Sequence, residues 1–306
     1  MYPVIRAKNR NRTMLQCEKQ LENQDVFEFL TFDQLSKIAC SKHMFSTRFG
    51  GVSKGDCATL NFSFARGDDS QAVLENYARV AEVFGTDISH FVTTDQTHTT
   101  NIRIVTKEDA GKGVTAARDY QDIDGLITDQ KGIVLTCFFA DCVPLYFVDP
   151  VKKVIGLAHS GWRGTAAGIG ACMVKRMQEE FGCDPKFIKA AIGPSICQTC
   201  YEISEEVAEQ FKEGFWGTQQ VKLFCKEAYE KGFYPHSELI TEGRCKGKYQ
   251  LDLWLANMIV LRHAGICPEN IEVTDICTCC NAPYLFSHRA TNGKRGNLAA
   301  FLMLSE

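Results

Sequence analysis

The sequence lacks the features that mark several large classes of protein. It has no excess of positive charge: 34 Lys and Arg stand against 37 Asp and Glu, a net charge of −3, so a surface built to track a nucleic-acid backbone is excluded. It lacks a membrane-length apolar run. The longest, residues 132–148, falls short of the roughly 20 residues that cross a bilayer and carries Asp141 and Pro144 near its middle. Residues 1–20 are polar and lack the apolar core of a secretory leader, which sets the expectation of a cytoplasmic protein. No convincing linker, internal repeat or low-complexity tract divides the chain. Its hydrophobic content of 45% is ordinary, so it is not a disordered chain. At 306 residues it can bury about three-quarters of its unfolded surface without staples.

Cysteine, by contrast, is abundant. The 15 cysteines are odd in number, and the chain is far too long to need a disulfide scaffold. They read as free thiols in a reducing compartment, some of them metal ligands or reactive groups.

The hydrophobic pattern predicts an α/β fold of mixed α+β type: a single domain with a central mixed β-sheet flanked by helices. Apolar residues at helical spacing predict helices over 68–85, 164–182, 204–215 and 251–265. Two buried strands with a break at Ala140-Asp141-Cys142 account for residues 132–148, and a third follows at 153–158. Further strands are expected at 91–94, 102–105, 187–192, 285–288 and 298–304. Residues 214–247, rich in Gly, Lys and Glu with weak periodicity, read as a surface insertion.

Polar residues set among apolar ones locate the chemistry. His98 follows Thr93-Thr94-Asp95-Gln96-Thr97, Asp141 and Cys142 occupy the break between two strands, and His159 ends a strand. Brought together, His98, Cys142 and His159 make a three-ligand zinc set with an open fourth position, as in a catalytic zinc site. Taken singly, each reads first as a buried thiol or a hydrogen-bonded core histidine. After His159, a helix starting near Gly164 would turn its free N–H groups and the Arg163 charge toward the strand ends, a place for phosphate or carboxylate. Arg48, beside the Gly50-Gly51 turn, either holds an anion or sits on the surface. Lys294 and Arg295 either face an anionic substrate or form a solvated face. Two C-x-x-C pairs, Cys197/Cys200 and Cys277/Cys280, are either a structural zinc site or small buried thiols; their separation exceeds ordinary knuckle spacing. Asp122-Ile-Asp124-Gly125 is a polar turn before a strand, since the key oxygen positions of a calcium loop are missing.

The set STRFGGVS (46–53), LNFSF (60–64), DQTH (95–98), DGLIT (124–128), ADCVPL (140–145), AHSGWRGTAAGI (158–169), AIGPSICQTCYEI (191–203) and CTCCNAPYLFSHR (277–289) resembles the laccase-domain family. Members of that family have been called polyphenol oxidases, peptidoglycan editing factors and purine nucleoside phosphorylases. The resemblance implies a catalytic domain over 43–306, with residues 1–42 as an extension that packs on it or is partly flexible. It implies a single α/β domain similar to certain bacterial toxin catalytic domains, and zinc on His98, Cys142 and His159. It further implies phosphorolysis of adenosine, inosine, guanosine and methylthioadenosine, with inorganic phosphate as co-substrate, and deamination of adenosine. Arg48 and Asn61 would lie at the substrate or phosphate end, with Arg163 and Gly164 beside them. Asp141 would be the proton donor in deamination. Thr99, Ser160 and the Gln198-Thr199 pair between Cys197 and Cys200 depart from the family pattern and bear on substrate preference. Three alternatives stand beside this reading. A copper-dependent phenol oxidase needs many histidines, and the chain has 7. A metal-free cysteine hydrolase would use Cys142 as nucleophile, as in peptidoglycan-precursor editing. A binding module would have lost catalysis.

Overall fold

A computed structural model describes residues 2–7, 13–212, 226 and 238–305. Its strands run β1 (Met14–Gln20), β2 (Val26–Phe32), β3 (Ser41–Ser46), β4 (Phe91–Thr93), β5 (Ile102–Ile104), β6 (Gly125–Thr128), β7 (Val134–Phe139), β8 (Val143–Asp149), β9 (Val154–Ser160), β10 (Lys189–Ile192), β11 (Glu202–Ser204), β12 (Ile240–Glu242), β13 (Lys248–Leu251), β14 (Ile271–Val273) and β15 (Leu298–Leu304). They form not one central sheet but two six-stranded mixed sheets, ordered β1-β2-β3-β15-β7-β4 and β14-β10-β8-β9-β6-β5, with a small third sheet β11-β13-β12. This corrects the single sheet expected from sequence. Buried strands reveal where side chains point but not which strands pair.

The alternation along β15 gives the layering. Leu298, Ala300, Leu302 and Leu304 enter a core shared with Leu126, Tyr146, Val148, Ile155 and Leu157 of the other sheet. Ala299, Phe301 and Met303 face the opposite way, onto helix α1 (Ser70–Phe84). In β8, Tyr146 and Val148 enter the shared core. Leu145 and Phe147 face helices α3 (Ile169–Phe181) and α5 (Leu253–His263). The result is helix, sheet, sheet, helix, with apolar packing at all three interfaces.

Local chemistry sets the helix ends. The Asp69 carboxylate accepts the Gln71 N–H at 3.0 Å, and Gly85 closes α1 at φ +71°. Asp252 caps α5 by accepting from Trp254 and Leu255. The helix expected over 164–182 is two: α2 (Trp162–Ala166) and α3, separated at Gly168, whose φ of +78° breaks the helical path. α4 covers Glu205–Lys212, and most of the 214–247 stretch lies outside the described residues. Residues 285–288, expected as a strand, are a buried loop over 285–287, with the exposed His288 opening a short helix. Ser287 Oγ accepts from Ala290 N at 3.2 Å and caps the short helix His288–Thr291. The first forty residues supply β1 and β2, and Leu30 and Phe32 sit in the inter-sheet core. Among the described residues no helix is long and apolar enough to cross a membrane.

Candidate active site

Register converges the site residues. In the β8–β9 pair, Pro144 lies opposite His159, so Cys142, two residues before Pro144, falls at the end of β9. In the β6–β9 pair, Gly125 lies opposite Ala158, so Asp124 falls opposite His159, whose N–H donates to the Asp124 carbonyl at 2.8 Å. The loop after β4 is tied to the same edge by the bridge between Asp95 and Ile123. The structure thus places one ligand atom each of His98, Cys142 and His159 within 4.8 Å of one another. The two imidazole rings meet edge to face, 4.9 Å between centroids.

Asp124 holds this arrangement, and the sequence reading gave it no role. Its carboxylate is fully buried. It accepts His159 Nδ1 at 2.8 Å, the N–H groups of Thr97 (3.1 Å), His98 (3.1 Å) and Thr99 (2.8 Å), and Thr99 Oγ1 (3.0 Å). One side chain therefore orients His159 and pins the loop in which His98 adopts φ +67°. Burial alone would raise its pKa, but the bonds from His159, Thr99 and Thr97 hold it below the ordinary carboxylate value. With Nδ1 engaged, Nε2 is the His159 nitrogen left for a metal, the carboxylate–histidine–metal pattern of zinc sites. The only sequence signal is an aspartate directly before a buried strand, which points to His159 once the β6–β9 register is known.

The electrostatics match the geometry. Burial alone would raise the Cys142 thiol and lower the His159 imidazole. Their mutual attraction, with a hydrogen bond from His98 to the thiolate and one from His159 to the Asp124 carboxylate, reverses both shifts, to about 6 for Cys142 and about 9 for His159. A thiolate and two imidazoles form a donor set suited to zinc. Gly161 caps α2 against this cluster: a Cβ there would lie 2.7 Å from His98 Cδ2 and 3.2 Å from Cys142 Sγ. Gly161→Ala is therefore expected to displace His98 and lower bound metal by about tenfold at limiting zinc, with little change in Tm because the His98 ring is exposed. Metal analysis beside a thermal melt checks this.

The cluster opens onto a cleft of about 1500 Å³, lined among others by Phe64, Asp95, Arg118, Asp122, Phe138 and Arg295. Among the described residues, Arg295 is one of two arginines, with Arg118, that line the cleft. Its Nη1 donates to Asn297 Oδ1 and, at 3.2 Å, to the Gly296 carbonyl, while its Nε has no hydrogen-bond partner. Burial, with the nearby Arg66 charge, lowers it to about 10.

The other expected site residues are placed differently. Arg48 does not line the cleft: its guanidinium donates to the carbonyls of Ala58 and Ala282 and stacks on Phe286 at 4.7 Å. Asn61 is fully buried and donates to the Ser63 carbonyl and Asp68, while its Oδ1 accepts the Asn297 N–H at 2.8 Å, steadying the Arg295 loop. Arg163 is exposed and stacks on Trp162 at 4.3 Å. Gly164 lies inside α2 rather than at its start, because the helix begins at Trp162. Asp141 is turned from the cleft: its oxygens accept Thr278 Oγ1 and the Arg289 N–H, each at 2.7 Å, holding the turn before Cys142 at φ +87°. With both oxygens so engaged, Asp141 directs neither of them at the cleft, unlike the proton donor expected from the sequence. A second group able to hold a metal gathers Cys197, Cys200, Cys277 and Cys280 within 4.8 Å.

Residues 42–305 match the family model described as multi-copper polyphenol oxidoreductase laccase. The chain is 35% identical over 266 residues to the purine nucleoside phosphorylase YlmD of Bacillus subtilis (strain 168), covering 86% of this chain and 88% of that protein. It is 31% identical to the purine nucleoside phosphorylase LACC1 of Mus musculus, covering 86% of this chain and 56% of the mouse protein. Among solved structures, that of YlmD from Geobacillus stearothermophilus superposes with a TM-score of 0.78 at 35% identity, covering 94% of this chain and 98% of that one.

Proposed function

The chain belongs to the multi-copper polyphenol oxidoreductase laccase family, and from that premise we propose that it is a zinc-dependent purine nucleoside phosphorylase that also deaminates adenosine. The observation that carries this reading is the convergence of His98, Cys142 and His159 in a cleft that Arg295 also lines, in a chain whose relatives bear the phosphorylase name. Adenosine, inosine, guanosine and methylthioadenosine are the proposed substrates.

Zinc on these three residues would supply a Lewis acid at the base-binding end of the cleft. The chain's own groups do the rest. Asp124 fixes His159 and the His98 loop before any substrate arrives, so no reorganisation is needed. Phe64 and Phe138 offer apolar surface to a purine. Arg295 holds phosphate in the cleft for attack on the anomeric carbon of ribose, giving free base and ribose 1-phosphate. Arg48 and Asn61 act one layer behind, buttressing the Phe286 and Asn297 contacts of the Arg295 loop. Arg295→Ala is expected to raise the KM for phosphate on the order of tenfold or more, consistent with loss of a charge-assisted contact, while leaving bound zinc unchanged. Initial rates against phosphate concentration, beside metal analysis, check it.

Deamination is tested without phosphate: adenosine should yield inosine and ammonia, and absence of ammonia would remove this second activity. One observation favours a rival. Cys142, His159 and Asp124 in series also form a nucleophile–base–orienter set of the kind used by cysteine hydrolases. Full activity in a zinc-free enzyme, abolished by thiol alkylation, would select it. A multi-copper oxidase is less well served, since only one metal-competent cluster among the described residues contains histidine.

A further inference from the structure

We infer that Cys197, Cys200, Cys277 and Cys280 form a second, structural zinc site, a tetrathiolate knot that orders the turn carrying Cys142. The two C-x-x-C pairs stand 77 residues apart (200 to 277), yet the fold lays them side by side. β10 and β14 run parallel, and the ladder continues past them as a bridge between Ser195 and Cys277, with Thr278 N donating to the Ser195 carbonyl at 3.1 Å. Each pair then turns back on itself: a single 3₁₀ turn at Gln198–Cys200, and the turns following Cys277.

The sulfur geometry selects the kind of metal. Four thiolates at about 2.3 Å from one zinc in a tetrahedron lie about 3.8 Å apart. Cys197 Sγ is 3.9 Å and Cys200 Sγ 3.5 Å from Cys280 Sγ, and all four sulfurs fall within 4.8 Å. An iron–sulfur cluster distributes its cysteines over several irons and holds them further apart, so convergence on one point favours a single ion. The backbone is prepared for thiolate as well. The N–H groups of Cys197 and Cys280 both donate to Cys277 Sγ, at 3.2 and 3.4 Å, the bonds that support a charged sulfur. Neighbouring Cys279 lies outside the cluster.

The knot reaches the active site through hydrogen bonds rather than shared ligands. Thr278, next to Cys277, donates to Asp141; Ile196, next to Cys197, donates to the Asp141 carbonyl at 3.0 Å. Arg289 donates its N–H to Asp141 and its guanidinium to the carbonyls of Cys200 (3.3 Å) and Glu202 (3.0 Å). Each of these contacts on Asp141 thus comes from a segment that the knot adjoins or holds by hydrogen bonds. In a protein with a sizeable core the ion stabilises this corner rather than the whole fold.

Metal stoichiometry of reduced full-length protein, with no chelator during purification, tests the inference. Cys142→Ala, which leaves the knot intact, should retain one zinc per chain, and its cobalt-loaded form should show the intense visible and near-ultraviolet bands of tetrahedral thiolate-bound Co²⁺. Cys280→Ser should lose one equivalent relative to wild type. A Cys142→Ala protein without metal, a cobalt spectrum without thiolate bands, or a Cys200–Cys280 disulfide found by mass spectrometry in the reduced protein would each overturn it. Because these readouts use Cys142→Ala, they stand even if the phosphorylase reading fails. If His98, Cys142 and His159 bind nothing, wild type and Cys142→Ala will simply hold the same single zinc.

Discussion

Cys142→Ala is expected to abolish the proposed phosphorolysis and deamination together, by on the order of 10³-fold or more, and to remove the zinc proposed on His98, Cys142 and His159. Cys142 supplies the only thiolate and the only negative charge among the three proposed ligands, so its loss leaves two imidazoles, one of them exposed. The fold should survive. Cys142 is half-buried at a strand break, and deleting one sulfur there costs only about 1 kcal/mol. The loss would then be chemical rather than structural, which a thermal melt beside the activity assay separates. His159 provides an internal check. Its imidazole is raised to about 9 largely by the Cys142 charge, so in the metal-free variant it should titrate lower, as followed by proton NMR. Full phosphorylase activity in Cys142→Ala would remove the residue from the site.

Asp124→Asn is expected to have the second-largest effect and a different signature. An amide keeps the shape but replaces one acceptor oxygen with an NH₂ group facing N–H donors from Thr97, His98 and Thr99. It also leaves a buried His159 without its anion. Breaking a buried pair of this kind costs about 3–5 kcal/mol, so Tm should fall by roughly 5–10 °C. Zinc affinity should fall about 10- to 100-fold, the usual consequence of losing the group behind a metal-binding histidine. Because Asp124 acts through the ligands, excess zinc should restore part of the activity of Asp124→Asn and none of that of Cys142→Ala. Equal responses to zinc would contradict the positioning role.

How much of this was legible in the sequence depended on whether the signal was local. The caps of α1, the break at 140–142 and the strand at 298–304 are written in neighbouring residues, and the chain folds there as its pattern says. The division into two sheets is not local, since β7 and β8 are successive in sequence yet belong to different sheets. Gly168 interrupts a helix whose apolar spacing continues across it, so periodicity alone runs the two segments together. Leu285 and Phe286 are as buried as any strand residue, and burial without pairing reads as a strand.

The site divides along the same line. Ligand-type residues at strand ends draw notice one by one, whereas Asp124 reads as a polar turn until the β6–β9 register sets it opposite His159. Arg48 draws notice by its charge, but backbone carbonyls at Ala58 and Ala282 take its donors. Arg295, in a run that otherwise reads as a solvated face, is instead folded into the cleft with its Nε unpartnered. Charge in the sequence locates cations; only the fold shows which of them line the cleft.

Base release from inosine by the purified zinc-loaded enzyme, followed with and without inorganic phosphate, tests the proposed activity most directly. Hypoxanthine and ribose 1-phosphate should form in equal amounts, only when phosphate is present, and disappear in Cys142→Ala. Base release indifferent to phosphate, or undiminished in Cys142→Ala, would contradict it.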